Sequence, residues 1–268
     1  MSVMTRDWQD DQPYHRSGSG ETVVLIHGFT SSWHLWKPVI EILEKDYDVL
    51  ALSAPGHLGW LWPDGLEVSM DNAVALVEQR LGELGVGQAH VVGNSLGGAI
   101  ALWMASRGTA ATAVGLAPAL GWVSGSIPVD RLFLASRKAV TEAMPQAAEI
   151  LGSPELRQQI LGVFMNRGDR VPLEEAVRMW EAVLAVDPIE DYLQVLHSFE
   201  LPTLTTDQKA AIIWCGDDTL LPYDTCSQGW IDHAPYAAFS TLEGVGHSPM
   251  YDDPQRVSDA IIGAIRSA

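Results

Sequence analysis

A series of short apolar runs, each ending near a glycine, a proline or a polar residue, is the feature that most constrains the fold of this chain. The runs are ETVVLIHG (21–28), YDVLALSAPG (47–56), AHVVGNS (89–95), ATAVGLAP (111–118), KAAIIWCGDD (209–218) and AAFSTLEG (237–244). Continuous apolar runs of this length are typical of strands buried on both faces, as in a parallel sheet. The sequence therefore predicts six buried strands.

Amphipathic patterns with helical spacing lie between these runs. Val74, Val77 and Leu81 repeat at intervals of three and four residues after Ser69, which is a candidate N-cap, and a second stripe begins at Val257. Strands that alternate with helices indicate βαβ units joined by right-handed crossovers. The predicted fold class is therefore α/β, a mostly parallel central sheet with helices on both faces.

The alternation of strands and helices stops between the fourth and fifth runs. This part contains three helical patterns, VDRLFLASRKAVTEAM (129–144), ELRQQILGVFMN (155–166) and LEEAVRMWEAVLAV (173–186), and no good strand. A helical block inserted between two strands is most simply a cap over one end of the sheet. We expect a core of residues 1–123 and 207–268, with residues 124–206 as a helical cap. Residues 1–20 are expected to form a loose lead-in with a short edge hairpin.

The charge balance excludes some classes of partner. The chain has 34 acidic and 16 basic side chains, a formal net charge of −18. Nucleic acids and anionic membranes need a basic surface, so neither is expected as a partner. The N-terminal segment is polar, and no apolar run reaches the roughly 18 residues of a membrane helix. We expect a soluble, cytoplasmic protein without a signal peptide. Two cysteines are too few for a disulfide framework, and Cys215 is interpreted as a buried small hydrophobe.

The segment GNSLG (93–97) matches the pattern G-x-S-x-G and lies between an apolar run and the helical stretch LGGAIALWMASRG (96–108). A strand, a tight turn and a helix in this order form the nucleophile elbow of serine hydrolases. Glycines are needed there because side chains would clash with the neighbouring backbone. Ser95 is therefore the candidate nucleophile, at the positive end of the following helix. The alternative is a glycine-rich strand end with an incidental serine.

A serine hydroxyl needs a base, and the base needs an acid to orient it. His247, in LEGVGHSPMYDDP (242–254), follows the last predicted strand in a glycine-rich loop. Asp217 and Asp218 follow a buried strand, and both remain candidates for the acid at this point. All these residues are expected at the same edge of the sheet. Six other histidines are interpreted as structural, surface or packing residues: His15, His27, His57, His90, His197 and His233.

The segments HGFTSS, APGH, GNSLGG, GDDTLLP and GVGHSPMYDDP together resemble the α/β-hydrolase superfamily over about residues 20–267. This resemblance implies that the backbone N–H groups of Phe29 and Leu96 form an oxyanion hole. Relatives usually carry a proline four residues after the catalytic aspartate, which here favours Asp218 because of Pro222. Relatives that open epoxides or displace halides use an aspartate nucleophile, so Ser95 disfavours those activities.

Three functions follow from these residues. The first is hydrolysis of a small, apolar carboxylic ester through an acyl-enzyme, with a small-molecule substrate and with no cofactor or metal. The second is the carbon–carbon bond hydrolysis of ring-cleavage products. Asn94 in GNS-x-GG favours it, whereas Ser248, where such relatives commonly carry tryptophan, disfavours it. The third is non-catalytic binding of a small molecule on the same fold.

Overall fold

The computed structural model describes residues 11–122, 129–197 and 199–267, and these residues form one seven-stranded sheet. Its strands are β1 (Tyr14–Gly18), β2 (Thr22–Ile26), β3 (Asp48–Leu52), β4 (His90–Asn94), β5 (Thr112–Leu116), β6 (Ala210–Cys215) and β7 (Ala238–Leu242). The strand order is β1-β3-β2-β4-β5-β6-β7, and every pair is parallel except β1 with β3. All six predicted strands are present, and the α/β fold class is confirmed.

An edge strand forms within the expected lead-in, whereas the predicted hairpin would need residues that lie outside the described part of the chain. β1 pairs antiparallel with β3, with Tyr14 opposite Leu52, instead of folding back on β2. Both edges of β2 are occupied, because β3 and β4 pair with it in parallel. The only edge left for β1 in this half of the sheet is therefore the outer edge of β3. Most of the predicted lead-in, residues 1–10, lies outside the described residues.

Helices cover both faces of the sheet. They are α1 (Lys37–Leu43), α2 (Met70–Glu83), α3 (Leu96–Ser106), α4 (Val129–Ala143), α5 (Ala147–Ile150), α6 (Pro154–Leu161), α7 (Leu173–Ala185), α8 (Ile189–Val195), α9 (Tyr223–Cys226), α10 (Gln228–His233) and α11 (Pro254–Ser267). On β2, Val24 is buried in one cluster with α2 and α3, and Val23 is buried in another with α1 and α11. The predicted N-cap is confirmed, because the Ser69 hydroxyl accepts a hydrogen bond from the Asn72 amide.

Helices α4 to α8 lie between β5 and β6, where the helical patterns were noted. The second pattern, 155–166, yields a shorter helix than expected, α6. The helix ends at Leu161 with Gly162 as its C-cap, and further along the chain the amides of Asn166 and Arg167 donate to the Asp252 carboxylate. The boundary between residues 123 and 124 lies outside the described residues, and the division into core and cap stays a prediction. Among the described residues, no helix combines the length and apolarity needed to cross a membrane.

Candidate active site

Ser95 occupies the turn between β4 and α3, and its backbone, with φ 55° and ψ −117°, has a conformation that residues other than glycine rarely adopt. Its amide donates to Leu116 O at 3.0 Å. A Cβ on Gly97 would lie 2.2 Å from Ile26 O, and a Cβ on Gly93 would lie 2.0 Å from the backbone of Gly97. Neither position can carry a side chain without moving the backbone. The two glycines therefore permit the close backbone packing that surrounds the strained turn.

His247 and Asp218 form a buried hydrogen-bonded pair, with 2.6 Å between His247 Nδ1 and Asp218 Oδ2. The other oxygen of Asp218 accepts from the amides of Leu220 at 2.9 Å and Leu221 at 2.7 Å. A carboxylate that only accepts requires a proton on Nδ1, which leaves His247 Nε2 as the basic nitrogen. Asp217 instead lies exposed, with its carboxylate on the side-chain amide of Asn166. Of the two candidate acids, the fold places only Asp218 against the histidine.

Ser95 and His247 both line a cavity of about 400 Å³. Both residues belong to the described part of the chain, and no hydrogen bond joins Ser95 to His247. Much of the wall comes from residues between β5 and β6, among them Phe133, Val140, Ile160, Met165, Trp180 and Val183. No Asp, Glu, Lys or Arg side chain is among the described residues of this wall. The cavity therefore suits an uncharged, apolar ligand.

The loop after β2 passes directly over the turn at Ser95. A Cβ on Gly28 would lie 3.1 Å from Ser95 Cβ. Within the described residues, the amides of Phe29 and Leu96 donate to no other protein group. Leu96 opens α3, so its amide has no partner within its own helix. Two free N–H donors beside a serine are what an oxyanion hole requires.

A buried histidine anchors the base of this loop. His27 Nε2 accepts from the Ala54 amide at 2.8 Å, and Nδ1 lies 2.7 Å from Gly28 O, to which it donates. Burial lowers the pKa of His27 well below its ordinary value, and the nearby His57 lowers this pKa further. The neutral ring satisfies both neighbours, so His27 has the structural role predicted for it.

A second buried histidine holds the other side of the loop. His57 Nε2 accepts from the Thr30 amide at 3.3 Å, and Nδ1 donates to Pro55 O at 3.0 Å. Burial lowers the pKa of His57 to about 4. The rings of Phe29 and Tyr192 pack against it, with centroids at 5.6 and 5.5 Å. The loop that carries the Phe29 amide is therefore fixed by two neutral imidazoles.

Asn94 has a structural role that the sequence did not predict. Its side-chain nitrogen donates to His247 O at 2.8 Å and to Leu116 O at 3.2 Å, and its oxygen accepts from the Ser248 hydroxyl at 3.2 Å. The residue is fully buried and does not line the cavity. Asn94 therefore ties the histidine loop to the end of β4 and does not contact a ligand in the cavity.

Asp252 is a second residue that sequence reasoning missed. Its buried carboxylate accepts from the amides of Gly246 at 2.7 Å, Asn166 at 3.0 Å and Arg167 at 2.7 Å. It thereby joins the loop of His247 to the segment that follows α6. The only local signal is an acidic residue shortly after the histidine, and its partners at 166–167 lie far away in the chain.

Comparisons with known proteins agree with this architecture. A model of the alpha/beta hydrolase family matches residues 23–260. The epoxide hydrolase EphH of Mycobacterium tuberculosis is 31% identical over 201 residues, which cover 70% of this chain and 91% of that protein. The solved structure of CarC, a serine hydrolase involved in carbazole degradation, is similar with a TM-score of 0.69 and 19% identity, covering 95% of this chain and 94% of that one.

A further solved structure has the same fold. It is the meta-cleavage product hydrolase CumD from Pseudomonas fluorescens IP01, with a TM-score of 0.66 and 22% identity, covering 94% of this chain and 93% of that one. At such identities the solved structures establish the shared fold. They do not establish a shared substrate.

Proposed function

This chain belongs to the alpha/beta hydrolase family, and on that premise we propose that it hydrolyses small, apolar carboxylic esters through an acyl-enzyme on Ser95. The observation that carries the proposal is the buried His247–Asp218 pair, which opens onto the same uncharged apolar cavity as Ser95. We further propose that residues 124–206 act as a cap, since helices of this segment supply much of the cavity wall.

In the first half of the proposed reaction, Ser95 Oγ attacks the ester carbonyl carbon while its proton passes to His247 Nε2. Asp218 stabilises the resulting imidazolium through the 2.6 Å bond to Nδ1. The carbonyl oxygen becomes an oxyanion that accepts from the amides of Phe29 and Leu96. Loss of one such donor typically costs about 3 to 4 kcal/mol of transition-state stabilisation. The bond between the carbonyl carbon and the alcohol oxygen then breaks, and the alkoxide takes the proton from His247.

In the second half, a water molecule gives a proton to His247 Nε2 and attacks the acyl carbon. The bond from this carbon to Ser95 Oγ breaks, and the serine recovers the proton. The sum is ester plus water giving acid plus alcohol, with no other reactant. Formation of the acyl-enzyme requires the serine hydroxyl to move within hydrogen-bonding reach of His247 when substrate binds, as catalytic contacts often do.

The chemistry of a serine nucleophile favours ester hydrolysis over the activity that gives EphH its name. A carboxylate that opens an epoxide forms an ester, which water can hydrolyse at the carboxyl carbon. A serine oxygen that opens an epoxide forms an alkyl ether, which water and this triad cannot cleave. Ser95 therefore supports acyl transfer over epoxide opening.

The position of Asn94 adds no support to the carbon–carbon alternative. Asn94 is buried, is bonded to His247 O and Ser248, and contributes nothing to the cavity wall. An intact His247–Asp218 pair in turn argues against a purely binding role. Neither alternative is favoured by another contact in the described residues.

The test is hydrolysis of p-nitrophenyl acetate by the purified chain and by Ser95→Ala. We expect turnover by the wild type and a loss of about 10⁴-fold or more in the variant. The two proteins should have the same circular dichroism spectrum and melting temperature. A fluorophosphonate should form a bond from phosphorus to Ser95 Oγ with loss of fluoride, so that the peptide containing Ser95 gains the mass of the phosphonyl group. Full esterase activity in Ser95→Ala refutes the proposal, and binding of esters without turnover by the wild type identifies a binding protein instead.

A further inference from the structure

Two cavities of very different size meet at Ser95. The large one, of about 400 Å³, lies toward the helices between β5 and β6, and the small one measures about 20 Å³. Both are lined by Ser95, Phe29, Phe133 and Leu220. A substrate whose carbonyl carbon is bonded to Ser95 can therefore extend one substituent into each cavity.

The small cavity has room for very little. Its volume is close to the space that one water molecule needs, so it admits a methyl group but no alkyl chain. Some of its lining residues do not line the large cavity, among them Ala119, Leu196 and Leu221. These three are all at least nine-tenths buried. Such a wall expands only by moving the core.

The position of His247 decides which part of the ester enters which cavity. His247 lines the large cavity and not the small one, whereas Leu96, which directly follows Ser95 in the chain, lines the small one and not the large one. The leaving alkoxide must receive its proton from His247, so the alcohol part must lie on the side of the large cavity. The carbon attached to the carbonyl group then lies in the small cavity.

From this arrangement we infer that the substrates are acetyl-sized esters of bulky, apolar alcohols, and not long-chain acyl esters of small alcohols. This inference rests on the proposed esterase function and adds the orientation of the ester. The large cavity binds the alcohol through apolar contacts. The small cavity sets the limit on the acyl chain.

Constitutional isomers test the orientation directly. Octyl acetate and methyl nonanoate have the same atoms and an equally long apolar chain, and they differ in which side of the ester carries it. We expect kcat/KM to be at least about 100-fold higher for octyl acetate, because a nonanoyl chain cannot enter the small cavity. Equal rates, or faster cleavage of methyl nonanoate, overturn the inference and leave the esterase function intact.

The same assay separates the two levels of the proposal. Serine-dependent cleavage of p-nitrophenyl acetate without cleavage of either isomer also overturns the inference alone. If p-nitrophenyl acetate is not cleaved either, the esterase function fails and the inference fails with it. Octyl alcohol should inhibit the hydrolysis of p-nitrophenyl acetate competitively, and nonanoic acid should inhibit it more weakly.

A matched pair of variants tests the assignment of the small cavity. Leu196 lines only the small cavity, and Val183 lines only the large one. In Leu196→Ala, the ratio of kcat/KM for octyl butanoate to that for octyl acetate should rise about 10-fold or more. In Val183→Ala, this ratio should stay as in the wild type, while the preferred alcohol lengthens. An unchanged ratio in a folded Leu196→Ala protein contradicts the assignment, and the isomer pair decides the matter if that variant does not fold.

Discussion

Replacement of Asp252 by asparagine should destabilise the fold and slow the reaction together. The carboxylate accepts three backbone hydrogen bonds, two at Oδ2 and one at Oδ1. An asparagine can keep the two bonds at Oδ2 only by turning its NH₂ group toward the Arg167 amide, where two donors then face each other. The side chain keeps its size and shape, so the change isolates the charge and one acceptor.

The expected magnitude follows from these three bonds. A hydrogen bond to a charged group contributes about 1.5–3 kcal/mol, and a neutral one contributes about 1 kcal/mol. At the lower end of this range, losing one bond and neutralising the other two should cost about 3 kcal/mol of the free energy of unfolding. With a urea m-value of about 3 kcal/mol/M, the midpoint should fall by about 1 M. Because Gly246 directly precedes His247, we also expect kcat to fall about 10- to 100-fold as the imidazole loses its position.

The neighbouring residue supplies a matched control. Asp253 accepts from the Arg256 amide at the start of α11, and its side chain is about one-third exposed, at 37%. Asparagine caps helices as well as aspartate does, so Asp253→Asn should shift the urea midpoint by much less. Urea unfolding followed by circular dichroism and ester hydrolysis measured at saturating substrate give the two readouts. Equal, small shifts in both variants would show that the three amides at Asp252 contribute little and would refute this reasoning.

Three further outcomes are expected. In steady-state hydrolysis of a p-nitrophenyl ester, Asp218→Asn should reduce kcat about 10⁴-fold and Asp217→Asn should leave it nearly unchanged. The larger loss in Asp217→Asn would instead identify Asp217 as the acid. Because burial lowers the pKa of His57 to about 4, the unfolded chain binds a proton between pH 6.5 and pH 4 that the folded chain does not. The free energy of unfolding should therefore fall by about 3 kcal/mol as the pH drops through this window. The difference in this free energy between the wild type and His57→Gln should shrink by the same amount. If the two proteins lose stability in parallel as the pH falls, the reasoning is contradicted. Gly97→Ala should prevent soluble expression, because its Cβ would lie 2.2 Å from a backbone oxygen. Gly263→Ala, at an open position on α11, should instead raise the free energy of unfolding by up to about 1 kcal/mol. A wild-type melting temperature for Gly97→Ala would show that the turn can relax.

The sheet could be predicted from the sequence because its signals are local. Each buried strand is a continuous apolar run, and Ser69 and Gly85 mark the ends of α2. The placement of the candidate nucleophile, base and acid at one edge follows from the same rule, since the carboxyl ends of parallel strands meet there. These conclusions need no knowledge of contacts between distant residues.

The remaining features depend on contacts that only the complete fold creates. β1 pairs with β3 because the edges of β2 are occupied, which is a property of the strand order. Asn94 reaches His247 across 153 positions of sequence, and no pattern around Asn94 indicates its partner. The lowered pKa of His57 follows from complete burial, which a loop histidine in a sequence does not reveal.

The bonds around Asp252 limit how this hydrolase can be redesigned by exchanging parts. Segment 164–167 is built between β5 and β6, yet it donates two amides to Asp252, and its Asn166 side chain binds Asp217. A chimera that receives the intervening helices of a relative would lose these partners and leave the buried Asp252 carboxylate with the Gly246 amide but without its two donors from segment 164–167. A successful graft should therefore carry the segment and the stretch 246–252 together, as one inherited unit.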